Sequence, residues 1–249
     1  SKAIEDFASE KPDEFRNIRS DFSSLRYDVR SQKTMTTLAS RAAEALDVQS
    51  KIEHRNYRDL EDVTIFEEID RKMIVDLAAA VAAQSVTPRE VADVLHHRQD
   101  SLWSATYAKL YQAIANASEL LAAIAGLPHT IASADVGLER YQSDWFRVDQ
   151  LYRWFTHAYQ TADFRKPLEA LKTEVDKQYT NKYLYDFGGR WQQALEPTGP
   201  WRASALEPQA RFFQRHVAPV VKDGRTKAVV IISDGMRYEV AHELASRIR

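Results

Sequence analysis

The residue best placed to do chemistry in this sequence is Asp234. It follows Ala228-Val229-Val230-Ile231-Ile232-Ser233, a continuous apolar run rich in β-branched side chains. A run without alternation is the pattern of a strand buried on both faces of a parallel sheet. Enzymes built on such sheets put working residues just past the carboxyl end of a strand. Gly235 would let a ligand or metal come close to the backbone there. A carboxylate in that position suits a hard divalent ion, which would in turn polarise a phosphoryl substrate. The same side chain would equally well cap a helix starting near Met236, and spacing alone leaves both roles open.

The neighbours of Asp234 narrow the chemistry. A nucleophilic aspartate of the haloacid-dehalogenase type would want a second Asp two residues on, where Met236 stands. Neither G-x-G-x-x-G nor G-x-x-x-x-G-K-[ST] occurs, so the sequence carries no phosphate-loop signature. His242-Glu243 does not open a zinc-protease motif, because Ser246 occupies the place of the second histidine. Arg237 could reach a phosphate, but an arginine near Glu239 is more simply read as half of a salt bridge. His96 and His97 are adjacent, so on a helix they point about 100° apart and do not share a metal easily. His54, His129, His157 and His216 are scattered singly.

Composition excludes further classes. The sequence has no cysteine, hence no disulfide, thiolate zinc site or cysteine nucleophile, in keeping with a reducing cytoplasm. Lys and Arg total 34 against 36 Asp and Glu, a net charge of −2 that gives no electrostatic footprint for strong nucleic-acid binding. There is neither a run of about 18 apolar residues nor a charged-then-apolar leader, so no membrane span or export signal is expected. The chain starts at Ser1 and its first methionine is Met35, which reads as part of a longer protein.

The elements that must position Asp234 are mostly helical. Only 7 of 249 residues are glycine, all at or after Gly126, and Pro88 is the one proline between Asp13 and Ala125. Turns draw heavily on these two residues, so so little punctuation implies long helices. From Phe15 to His54 the residues Leu25, Val29, Leu38, Ala42 and Leu46 mark one long or one broken amphipathic helix. Leu60, Val63, Phe66, Ile69, Met73, Leu77 and Val81 form a second stripe at three-and-four spacing. Thr87-Pro88-Arg89-Glu90 is a capping box with proline at the first helical position. Asp100 or Ser101 would cap a further helix running from Trp103 to a stop at Gly126. Trp145, Val148, Tyr152, Phe155 and Tyr159 then make an aromatic stripe of the kind that packs helices together.

The texture changes near residue 186. Gly188-Gly189 is expected to interrupt the helical run, and Glu196-Pro197-Thr198-Gly199-Pro200 reads as a loop. A short helix from Gln209 to His216 would lie between Pro208 and Pro219, followed by a turn at Lys222-Asp223-Gly224-Arg225. The proline cluster sets the expected boundary between a helical domain, residues 1–205, and the start of an α/β domain, residues 206–249. That second unit would comprise the strand ending at Asp234 and a helix with Val240, Leu244 and Ile248 on its apolar stripe.

The stretch Val229-Val230-Ile231-Ile232-Ser233-Asp234-Gly235-Met236-Arg237-Tyr238-Glu239 closely resembles the motif that opens the PglZ domain. PglZ proteins belong to bacteriophage exclusion (BREX) defence systems, and their domain is similar to the alkaline phosphatase superfamily. Upstream, His97-Arg98-Gln99 through Trp103, Tyr107, Tyr111 and Ala117 to Leu121 resembles the region preceding that domain in long PglZ proteins. Tyr179-Thr180-Asn181-Lys182-Tyr183 followed by Trp191 does so too. The resemblance implies a mainly α chain that ends in the first βα unit of an alkaline-phosphatase-like domain. It implies that Asp234 is the first metal-ligand aspartate, for a pair of divalent ions such as zinc, magnesium or manganese. The superfamily's Ser or Thr nucleophile and its later Asp and His ligands come well downstream of this motif, so the segment is expected to be inert alone and to hold no metal by itself. The parent would be a metal-dependent phosphatase or phosphodiesterase of the cytoplasm. The contrasting expectation is a helical interaction module that docks other defence components, such as the system's methyltransferase or ATPase.

Overall fold

The computed structural model describes residues 31–196 and 206–248. Among these residues all regular structure is helical. The expected loop after Glu196 and the boundary near residue 205 fall largely outside the described residues, as do Leu25 and Val29.

The first helix breaks, as one of the two sequence expectations has it, into α1 (Gln32–Leu46) and α2 (Val48–Ile52). The joint is Asp47, in the left-handed region at φ 49°, which a short polar side chain tolerates. Its carboxylate accepts from Ser50 Oγ at 2.9 Å, steadying the start of α2. The packed face of α1 is not the predicted one. Met35, Ala39 and Ala43 are buried, whereas Leu38 and Leu46 are 48% and 45% exposed. The pattern of large apolar residues misleads here because alanines on the neighbouring face let the helix lie close to the body.

Helix α3 (Glu67–Ala82) follows a 3₁₀ turn at Tyr57–Leu60 and buries Ile69, Met73, Leu77 and Val81, the later part of the predicted stripe. Leu60 ends the 3₁₀ turn, Val63 lies in the connection and Phe66 holds the cap position, so the helix starts later than the spacing implied. Each such side chain contributes about 1.5–3 kcal/mol by leaving water. Helix α4 (Pro88–Arg98) carries the full capping box: Glu90 N–H donates to Thr87 Oγ1 at 3.2 Å, and Thr87 N–H donates to Glu90 Oε2 at 2.8 Å. Helix α5 (Ser104–Ala125) has Trp103 at its cap, and Ser101 Oγ accepts the Trp103 N–H at 3.1 Å. It stops at Gly126, whose φ of −82° is right-handed, so no glycine-specific turn ends it.

Helix α6 (Ala134–Arg140) runs through a π turn (Tyr141–Trp145) into α7 (Phe146–Gln160), which packs along α5. Trp145, Val148 and Phe155 are buried and Tyr152 and Tyr159 half-buried, so the aromatic stripe is helix-packing surface. Next, α8 (Glu169–Lys177), a π-helical stretch (Gln178–Phe187) and α9 (Gly188–Leu195) form one unbroken helical run. The expected interruption at Gly188-Gly189 is absent: two glycines weaken a helix by about 1 kcal/mol each without forbidding it. Gly137 is different. A Cβ there would stand 2.2 Å from Trp191 Cζ3, so only glycine lets α6 and α9 close on each other.

The helix expected to end at His216 continues. A 3₁₀ turn (Gln209–Arg211), a π turn (Phe213–Val217) and α10 (Ala218–Val221) carry it past Pro219, which sits in the first turn of α10, where its missing N–H is tolerated. The turn that follows is as read: Gly224 has φ 66°, and Asp223 Oδ1 accepts from the N–H groups of Arg225 and Thr226, both at 3.0 Å. The apolar run beyond it forms no strand among the described residues. Val229, Ile231 and Ile232 are 88%, 88% and 85% exposed. A parallel strand needs a neighbour to bond with, and no other strand is present among the described residues to supply one. The helix after it does form, as α11 (Tyr238–Arg247).

Candidate functional site

Asp234 lies exposed in a turn between the apolar run and α11. It does not cap that helix. The helix starts later than the spacing suggested, with Arg237 in the cap position and no side-chain cap. A single carboxylate does not hold a divalent ion firmly, and among the described residues no cluster of three or more His, Asp or Glu side chains is placed to do so. The residues present therefore do not amount to a metal centre.

The built part of the site lies just beyond Asp234. Asp149, buried on α7, accepts hydrogen bonds from Tyr141 Oη at 2.9 Å, Tyr179 Oη at 2.6 Å, Tyr183 Oη at 2.8 Å and Arg237 Nη2 at 2.8 Å. Burial, with the Asp149 charge beside it, holds all three tyrosines well above their ordinary value of 10, so they stay protonated and donate. Tyr179 and Tyr183 reach the same carboxylate because the π-helical stretch keeps them four residues apart on one face. Tyr179 also stacks flat on Tyr152, ring centroids 3.7 Å apart.

Arg237 faces a second acid as well. Its Nε lies 3.3 Å from Glu239 Oε1, and the Glu239 carboxylate is fully buried with no hydrogen bond of its own. Buried charge without a partner is costly, so the guanidinium is what makes both carboxylates tolerable in place. Its pKa is pushed up, first by the Tyr179 hydroxyl and then by the two acids. The structure adopts the salt-bridge reading of Arg237, but its acids are buried, where a surface pair was expected.

One turn further along α11, Glu243 accepts from Arg153 Nη2 at 2.5 Å and from Trp154 Nε1 at 3.1 Å. Tyr238 packs on Tyr141 and Phe146, and His242 on Phe146 at 4.5 Å. Helix α11 thus docks on α7 through its polar and aromatic face. The apolar stripe read from the sequence points elsewhere: Leu244 is 44% and Ile248 77% exposed. Beside the junction is an open cavity of about 390 Å³ walled by Trp145, Tyr183, Phe187 and Trp191, with Asp149 and Arg237 at its polar end.

The sequence reading singled out Asp234 and weighed Arg237 but missed Asp149 and Tyr141. A signal was available: a lone acid directly beside Val148 in an aromatic helix face, with tyrosines at i and i+4 downstream. The remaining candidates are dispersed. His97 pairs with Glu61 at 3.1 Å on the surface, while His96 is exposed. Among the described residues no helix is long and apolar enough to cross a membrane.

Comparison with known proteins gives this geometry a context. A family model described as the BREX system PglZ alkaline phosphatase-like domain matches residues 212–249. An alkaline phosphatase-like protein PglZ of Bacillus cereus is 29% identical over 160 residues, 63% of this chain and 19% of that protein. An alkaline phosphatase-like protein BrxZ of Escherichia coli is 30% identical over 205 residues, 76% of this chain and 24% of its own length. The chain therefore spans about a fifth to a quarter of these curated relatives. No solved structure matches it. With the motif around Asp234 inside the matched domain and alignments that extend over 63% and 76% of the sequence, the chain is a segment of the PglZ family of BREX systems.

Proposed function

We propose that this segment is the helical platform and opening βα unit of a metal-dependent phosphatase or phosphodiesterase acting in phage defence. The observation that carries this reading is the docking of α11: the helix that follows Asp234 is clamped to the helical body through Arg237 and Glu243, within the stretch that matches the alkaline phosphatase-like domain. In the complete domain the run 228–232 would become a buried strand, and the stripe of α11, on which Val240 is half-buried while Leu244 and Ile248 are exposed, would pack against the sheet. Both surfaces are apolar and open in the described residues, which supports that assignment. Asp234 would then sit at a strand's carboxyl end and supply one oxygen ligand to zinc, magnesium or manganese. With one such carboxylate, residues 1–249 are proposed to be inactive by themselves, and the boundary near residue 205 to separate platform from catalytic unit. A cytoplasmic setting agrees with the cysteine-free composition.

The test is phosphoester hydrolysis by protein carrying the whole domain, with and without added divalent metal, beside Asp234→Ala. Metal-dependent turnover lost in Asp234→Ala is the expected result. The absence of both hydrolysis and a metal-induced rise in melting temperature would overturn the enzyme reading.

A second reading, a platform for other defence components such as a methyltransferase or ATPase, is favoured by the exposed Leu38 and Leu46 stripe on α1. Substituting both by serine would then abolish co-purification with those components while leaving metal-dependent hydrolysis unchanged.

A further inference from the structure

We propose that Asp149 and Arg237 are a positioning pair for the Asp234 turn, an inference that rests on Asp234 being a ligand in the complete domain. Arg237 stands three residues after Asp234 and immediately before α11, so whatever fixes its guanidinium fixes where the turn leaves the helix. The fixing is strong on the far side. Asp149 is 5% exposed and is held by three tyrosine hydroxyls from two separate helical runs, so it offers Arg237 an acceptor that does not move. It is equally strong on the near side, where Arg237 screens the fully buried Glu239. A second clamp, Arg153 and Trp154 on Glu243, stops α11 from pivoting about the first. The polarity alternates along the pair of helices, acid on α7 to base, then base on α7 to acid, so a slip of α11 by one turn brings like charges together. The helical body thereby fixes both the place and the register of the first unit of the catalytic domain.

Amide exchange of α11 in this chain, measured against α5 and α7 as internal references, tests the clamp. Asp149→Asn and Arg237→Gln should each raise exchange across residues 240–247 by about tenfold or more, the effect of losing a charged hydrogen bond. Arg237→Lys should restore part of the protection, since it keeps the charge without the fork. Thr87→Ala, which weakens a distant cap, should not affect α11 selectively. Exchange of α11 unchanged in both variants, or rising only in step with α5 and α7, overturns the proposal.

Manganese(II) titration of protein carrying the whole domain supplies the second arm. Asp149→Asn and Arg237→Gln should weaken manganese binding by about tenfold, an amount comparable to loss of support behind a ligand. Full affinity in both, despite a loosened α11, overturns the positioning role and leaves only a structural clamp. Undiminished binding in Asp234→Ala instead refutes the enzymatic reading, while the exchange data still decide whether the clamp exists.

Discussion

Asp70 and Asp149 are built on one plan and serve different ends. Each is a buried aspartate that accepts four hydrogen bonds from an arginine and hydroxyl groups. Asp70 is held by Arg98 at 3.1 and 2.6 Å, Ser101 at 2.6 Å and Tyr111 at 2.6 Å. All of its partners lie within the helical body, between α4 and α5, and Arg98, itself 1% exposed, also donates to the backbone carbonyls of Glu61 and Val63. Asp149 takes its hydroxyls from the body, but its arginine comes from the segment that matches the alkaline phosphatase-like domain, and that arginine is 58% exposed. A closed network locks a core. The same network with one half-exposed partner joins two parts of a protein and leaves the joint open to change.

The sharpest test of this contrast is Arg98→Ala. It strands a buried carboxylate and should lower the unfolding free energy of the whole body by about 3–5 kcal/mol, seen as a shifted urea midpoint reported alike by every helix. The corresponding loss at Asp149 should instead be local, as the exchange experiment above reads. If both variants unfold the chain globally, the two networks are equivalent and the comparison collapses. Gly137→Ala comes next, at about 1–3 kcal/mol, because its methyl must displace Trp191. Its effect should fall on the Asp149 side, perturbing the tryptophan fluorescence of the cavity wall while Asp70 is untouched. Thr87→Ala removes a cap attached to neither network and should cost about 1 kcal/mol in thermal melts, calibrating the others.

The smallest effect is a pH dependence. Tyr141, Tyr179 and Tyr183 have folded values raised above 10, so their stabilisation is complete below pH 10 and is lost as pH rises beyond it, where unfolded tyrosines ionise and folded ones resist. Glu243 behaves oppositely. Arg153 lowers it below the ordinary 4.5, so its clamp is intact above that value and fails as pH falls through the depressed one. Circular dichroism with α11 exchange at pH 10.5 and at pH 3.5 should show α11 loosening at both extremes before the body melts. Loosening at neither would leave the clamps without a titratable basis.

The features legible in the sequence were those written in local chemistry. The capping box at Thr87, the Ile69-to-Val81 part of the second stripe and the Asp223-Gly224 turn depend on residues within a few positions of one another, and each formed as read. Features that depend on closeness in space were misread. The packed face of α1 turned on alanines that fit a neighbour, and Gly188-Gly189 stayed helical inside a run held by its flanks. The Asp149 site joins residues 8, 30, 34 and 88 positions apart in sequence, so the local signals, an acid on an aromatic helix face and two tyrosines four apart, do not say that they meet. Even α11, which formed with a start two residues later than expected, carries its apolar stripe on a different face from the one that docks.

That choice of face bears on how the protein behaves in a tube. With Val229, Ile231 and Ile232 laid open, and Leu244 and Ile248 of α11 open as well, the segment presents greasy surface onto which a second copy can zip. Left unpaired, it sets a solubility ceiling that should fall on warming, and a single charged residue placed in the run at Ile231 would lift it.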